Sequence, residues 1–176
     1  TGAQNNALGH DTLRLNVTGN YNVAVGESAL YTNTDSQNVG VGYRALYSNT
    51  SGTSNVAIGF QALYTNSSGD FNTGEGGYAL YSNSTGSNNT ALGYGALYSS
   101  TGSNSAVVGN DALLYNTTAS FSTVIGREAG RGTSGQTAST NNTFVGYRAG
   151  YVNTTGSNNI LLGYQAGDNL TTGANN

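Results

Sequence analysis

One stretch of this chain recurs along its whole length. Asn55-Val56-Ala57-Ile58-Gly59-Phe60-Gln61-Ala62-Leu63-Tyr64-Thr65-Asn66-Ser67-Ser68-Gly69 returns as NVGVGYRALYSNTSG from Asn38 and as NTALGYGALYSSTG from Asn89. A fixed period of this kind constrains the fold more than any local propensity. One unit cannot bury a hydrophobic face by itself, so the copies must stack. Each copy is anchored on the glycine that closes its apolar triplet: Gly9, Gly26, Gly42, Gly59, Gly76, Gly93, Gly109, Gly126, Gly146 and Gly163. The intervals are 17, 16, 17, 17, 17, 16, 17, 20 and 17 residues. The ten copies read as one repeat domain over residues 1–176, without a linker.

Aligned on the anchors, the copies resolve into columns. Four residues before the anchor stand Asn5, Asn22, Asn38, Asn55, Asn72 and Asn89, then Ser105 and Ser122, then Asn142 and Asn159. Directly before it the residue is Val, Ile or Leu in every copy except at Glu75. Three after it comes Ala, replaced once by Thr12; four after it comes Leu in seven copies, then Gly130, Gly150 and Gly167. Seven after it lies a second asparagine column that includes Asn33, Asn49, Asn66 and Asn83.

Glycine at this frequency argues against helix, and no copy has room for three helical turns. Short apolar segments bounded by Asn-, Ser- and Gly-rich turns read as strands. The pattern predicts two strands per copy, Val56–Ile58 and about Gln61–Thr65, with turns at the anchor and around residues 66–69. The fold class is therefore all-β, a parallel β-solenoid of ten coils with 16–20 residues each. At a strand spacing of about 4.8 Å the coils form a rod about 48 Å long. In-register asparagines in the turns are expected to hydrogen-bond from coil to coil, with the anchor glycines taking the turn conformation. Both faces of each strand are apolar, so the small face at Ala57 and Ala62 is expected to pack on another copy of the chain.

The 27 Gly and 25 Asn also fit a disordered linker, but 13 Tyr and the fixed phase of the glycines argue for order. Proline is absent, as a fold that uses every backbone N–H requires. Five Arg, no Lys and a net charge of −3 leave no electrostatic footprint for nucleic acid or an anionic membrane. No apolar run is long enough to span a bilayer, and no signal peptide is visible. Without cysteine there is no disulfide or thiolate metal site, and no column supplies the recurring Asp of a calcium-binding roll. No cofactor is expected.

The Asn55–Gly59 core and its counterpart Asn89–Gly93 resemble the head repeats of YadA-type trimeric autotransporter adhesins, and similar repeats occur in phage tail-fibre-like proteins. The resemblance spans essentially the whole chain. It departs in the added Ala-Leu-Tyr-x-Asn stretch and the longer period. It implies a left-handed β-roll, three chains side by side, displayed extracellularly on a cell or virion surface for attachment. A host-surface protein or glycan is the implied ligand. The function expected is a non-enzymatic fibre or adhesin module; a phage or viral fibre segment and an ice-binding solenoid are the alternatives. The chain begins and ends in the same phase of the repeat, with no polar capping coil. That points either to a segment of a longer array or to head-to-tail polymerisation.

Few residues offer catalytic chemistry. His10 is the single histidine and reads as a surface side chain beside Asp11. Asp111 and Glu128 share a column and should stack about 5 Å apart, near the spacing of a retaining glycosidase pair, but a Glu128–Arg148 contact explains them without chemistry. Glu75 points either to an inter-chain cavity or, more simply, to a local bulge that exposes it. The tyrosine column Tyr31, Tyr47, Tyr64, Tyr81 and Tyr98 reads as packing or as a sugar-binding stripe. The Ser/Thr column at Thr50, Ser67, Ser84, Thr101, Thr117 and Thr154 carries the ice-binding alternative. N-x-S/T sequons at Asn49, Asn66, Asn83, Asn116 and Asn153 admit glycosylation. The eighth interval carries three extra residues, so Arg131, Thr133, Ser134 and Gln136 form a candidate contact loop.

Overall fold

A computed structural model describes residues 2–133 and 139–176. Ten three-residue strands, one per repeat, form a single parallel sheet in sequence order, from β1 (Asn6–Leu8) through β4 (Val56–Ile58) and β5 (Thr73–Glu75) to β10 (Ile160–Leu162). The chain is a β-solenoid of about nine turns. Register is unbroken: Ala57 pairs with Gly74, Gly74 with Ala91, and so on to Phe144 with Leu161.

The second strand expected in each copy does not form. From Gly59 to Leu63 the chain turns, with φ of +137° at Gly59, +53° at Gln61 and +52° at Leu63. The N–H of Ala62 donates back to the Gly59 carbonyl and that of Asn66 to the Leu63 carbonyl. Left-handed conformation costs an L-residue about 1–2 kcal/mol. Coil-to-coil bonds offset it, since the N–H of Gln61 donates to Tyr43 O at 2.9 Å and that of Leu63 to Ala79 O at 2.9 Å. The alternating sign of φ also explains why Ala62 and Leu63, although consecutive, are both fully buried.

This corrects the assignment of the second apolar face. Ala57 and Ala62 do not look outward to a partner; both are 0% exposed and line the inside of the coil with Leu63. The outward residues of the strand are its ends, and Ile58 is 40% exposed. Glu75 belongs to that outward column, is exposed, and pairs in register between Ile58 and Leu92 without a bulge.

Inside volume is shared between two columns. In the middle of the strand stand Ala24, Gly40, Ala57, Gly74 and Ala91, each with a leucine four after the anchor. In the last three coils the sizes are exchanged: Val124, Phe144 and Leu161 stand on the strand while Gly130, Gly150 and Gly167 replace leucine. A Cβ on Gly150 would stand 2.9 Å from the Phe144 ring, and one on Gly167 would stand 2.7 Å from Leu161. Close-packed interiors tolerate such exchanges when total volume is conserved.

Two asparagine ladders run up the interior. In the first, Asn55 Nδ2 donates to the Gly69 carbonyl at 2.8 Å and its Oδ1 accepts the Asn72 N–H at 2.9 Å. In the second, Asn66 Nδ2 reaches the same Gly69 carbonyl at 2.9 Å and Asn49 Oδ1 at 2.8 Å. Buried amides so satisfied hold the coil closed and bind it to its neighbours. The sequon residues Asn49, Asn66, Asn83, Asn116 and Asn153 are at most 2% exposed, so the folded coil does not present these amides for glycosylation. The second ladder is interrupted at Ser100, and Asn83 Oδ1 is consequently buried without a partner. Ser100→Asn is expected to restore the rung and stabilise the protein by about 1 kcal/mol in urea unfolding; an unchanged midpoint would show that the rung does not form.

Candidate functional site

The side of the solenoid formed by the turn after the anchor carries most of the aromatic and charged residues. Because each coil repeats the same turn, residues five after the anchor stack directly. Tyr31, Tyr47, Tyr64, Tyr81 and Tyr98 form a continuous ring stack with centroids 5.0, 5.2, 5.2 and 4.9 Å apart and planes within 13° of parallel. Spacing between coils dictates this geometry, and offset stacking of rings at such distances is favourable.

The arginines decorate the same side. Arg14 lies over Tyr31 at 5.8 Å; Arg44 lies over Tyr43 at 5.0 Å and Tyr47 at 5.5 Å. Arg131 lies over Tyr115 at 4.9 Å and Arg148 over Tyr151 at 4.7 Å. Carboxylates complete two of these clusters. Asp11 pairs with Arg14 at 3.2 Å, and Glu128 pairs with Arg148 at 2.6 Å and Arg127 at 3.4 Å. The hydrogen bond from Arg148, aided by the charges of Arg148, Arg127 and Arg131, holds the Glu128 carboxyl below its usual range against the opposing effect of burial. A glycosidase acid requires the opposite, a carboxyl kept protonated near neutrality. His10 is on this side too, with its side chain 79% exposed and 3.5 Å from Asp11.

The pattern is broken at coils five to seven. Gly77 stands directly after its anchor, where the neighbouring coils carry Phe60 and Tyr94, and the aromatic residue moves to Tyr78. Tyr78 meets Phe60, Tyr81 and Tyr94 edge-on, with centroids 5.2, 5.7 and 5.5 Å away. In the next coil Gly95 leaves the following position without a side chain. Gly95 lines a cleft of about 590 Å³ bounded by Tyr78, Tyr81, Tyr94, Tyr98, Tyr115 and Asp111, while the Tyr94 ring covers the position a Gly77 side chain would take. Burial, and to a lesser degree the neighbouring Tyr81, Tyr78 and Tyr94, push the Tyr98 hydroxyl above its ordinary pKa. The exception was readable in the aligned columns as Gly77 and Gly95 in positions otherwise filled by side chains. Its consequence required the side-chain directions.

The other expected site residues are placed as follows. The anchor glycines have φ between +121° at Gly26 and +143° at Gly109. Asn22, Asn38, Asn55, Asn72 and Asn89 are all buried in the first ladder and face no solvent. Arg131 of the candidate contact loop is engaged with Tyr115 and Tyr151, donating to the Tyr151 hydroxyl at 3.3 Å. Thr133 also has an interaction partner, while Ser134 and Gln136 lie outside the described residues. Across the insertion the interior path is kept, because Asn116 Nδ2 donates to Ser139 Oγ at 2.8 Å. Hydroxyls of the Ser/Thr column are turned along the stack: Thr50 Oγ1 donates to Ser67 O and Ser67 Oγ to Ser84 O, both at 2.9 Å. Among the described residues no group of three or more His, Asp or Glu is placed to hold a metal ion, and no helix is long and apolar enough to cross a membrane. Comparison with family models, characterised proteins and solved structures gives no match.

Proposed function

We propose that this chain is a non-enzymatic, extracellular fibre or adhesin module that extends from a cell or virion surface and attaches to a host-surface protein or glycan. The observation that supports it best is the unbroken register of ten strands reinforced by two buried amide ladders. Such a stack behaves as a stiff spacer whose length grows by one strand spacing per repeat. The resemblance of Asn55–Gly59 to YadA-type head repeats points the same way, with phage tail-fibre repeats as the related alternative.

Assembly as a left-handed, side-by-side trimer is part of this reading. Its support is an outward apolar strip at the strand ends, where Leu8, Ile58, Val108, Ile125 and Leu162 are 38–75% exposed. Repeated apolar surface of this kind marks an interaction face. Glu75 lies within the strip and weakens it at one coil. Sedimentation equilibrium is expected to show a concentration-dependent trimer, which Glu75→Leu tightens by about tenfold through added apolar burial. Monomers at every concentration for both proteins would overturn the association, and continuous rods in micrographs would replace it by head-to-tail growth. Binding to a glycan or extracellular-matrix panel tests attachment separately.

A further inference from the structure

We propose that the tyrosine cleft of coils five to seven binds a guanidinium group supplied by a partner molecule. The inference does not depend on the fibre reading or on the assembly state. It rests on how this chain uses its own arginines. Four of the five, Arg14, Arg44, Arg131 and Arg148, lie 4.7–5.8 Å from tyrosine ring centroids on the same side of the solenoid. Arg14 and Arg148 add a carboxylate two residues after an anchor, Asp11 and Glu128 respectively. Ring faces, a carboxylate and a guanidinium therefore recur together on this surface.

The cleft has the first two components and no arginine among its lining residues, although Arg131 lies over Tyr115, one of its walls. Asp111 stands in the same column as Asp11 and Glu128, and among the described residues its side-chain hydrogen bond comes from Asn110 Nδ2 at 3.4 Å. Tyr81 covers one face of Tyr98, while Tyr78, Tyr94 and Tyr115 wall the space in front of Asp111. Gly95 occupies the column position that Arg44 and Arg148 fill elsewhere, all three with φ between +54° and +63°. A Cβ on Gly95 would meet Asp111 Oδ1 at 2.8 Å and Leu114 Cδ1 at 3.1 Å, so the carboxylate reaches over the place where an arginine side chain would begin. A planar guanidinium satisfies both demands of the cleft. It stacks on tyrosine through its face and donates in its plane to a carboxylate. A neutral sugar would use the rings but leave the Asp111 charge unmatched.

The test is an NMR titration of the tyrosine ring resonances with acetyl-Gly-Arg-Gly-amide, its citrulline counterpart, methylguanidinium and N-acetylglucosamine. The arginine peptide is expected to shift Tyr78, Tyr94 and Tyr98 saturably, with Kd on the order of a millimolar, and at least about fivefold more tightly than the citrulline peptide. Asp111→Asn is expected to weaken that binding by about fivefold or more. Gly95→Arg should abolish it by placing the chain's own guanidinium in the cleft, with the circular dichroism spectrum unchanged. A peptide that binds more tightly than methylguanidinium assigns the site to an arginine side chain, whereas the reverse order assigns it to a free guanidinium compound. Equal binding of citrulline and arginine, a preference for N-acetylglucosamine, or full binding by folded Gly95→Arg would each overturn the proposal.

Discussion

Gly59→Ala is expected to destabilise the protein by about 3 kcal/mol or more, the sum of a strained backbone and an overpacked contact. The added Cβ would stand 2.6 Å from the carbonyl oxygen of Gly76 and 2.7 Å from its carbon. Neither atom is the free end of a flexible side chain. Moving Gly76 also displaces its N–H, which donates to Ile58 O at 2.8 Å, so relief of the clash breaks the ladder. Two variants separate the causes. Gly163 has a similar φ of +126° but open space around its Cβ position, so Gly163→Ala should show the backbone strain alone, about 1–3 kcal/mol. Gln61 already adopts φ of +53° with a side chain, so Gln61→Ala should cost less than about 1 kcal/mol. Urea unfolding of the three variants checks the order; Gly59→Ala no worse than Gly163→Ala would show that the coils can separate locally at little cost.

Exchange of side-chain size across the interior gives the second large effect. Gly150→Leu alone drives a side chain into the Phe144 ring, whose Cε2, Cζ and Cδ2 atoms would lie 2.9–3.1 Å from the new Cβ. Phe144→Ala alone leaves a cavity at a fully buried site and should cost about 3–5 kcal/mol. Together the two changes recreate the pair Ala57 and Leu63, and Leu63 shows that this turn position accepts leucine at φ of +52°. The double variant is expected within about 2 kcal/mol of the parent, with a favourable coupling of up to about 3 kcal/mol in a double-mutant cycle. A residual loss is expected beside Gly130, because its Cβ position also lies 2.9 Å from the Phe144 ring. Strictly additive effects would mean that the two columns do not share one volume.

Residue type and spacing alone determined the repeat, its ten copies, the all-β class and the stacking direction. Those follow from periodicity, because identical units that cannot bury a face singly have one way to do so together. The asparagine columns were legible for the same reason: stacking in register places each amide beside its neighbour's. Direction of the side chains was not legible. Ala62, Leu63 and Tyr64 read as three consecutive strand residues, and a strand would have turned Ala62 and Leu63 to opposite faces. Left-handed conformation at Gln61 and Leu63 turned both Ala62 and Leu63 inward, and no local preference of glutamine or leucine announces that conformation. Tertiary structure decided it, since hydrogen bonds between coils hold the left-handed residues in place, from Gln61 to the coil before and from Leu63 to the coil after. Contacts within and between coils also settled where Ala57 faces, why Phe144 requires Gly130 and Gly150, and how Gly95 and Tyr78 border a cleft among tyrosines. Each of these depends on distances between residues of different columns, within one coil or between neighbouring coils, which column alignment names but cannot measure.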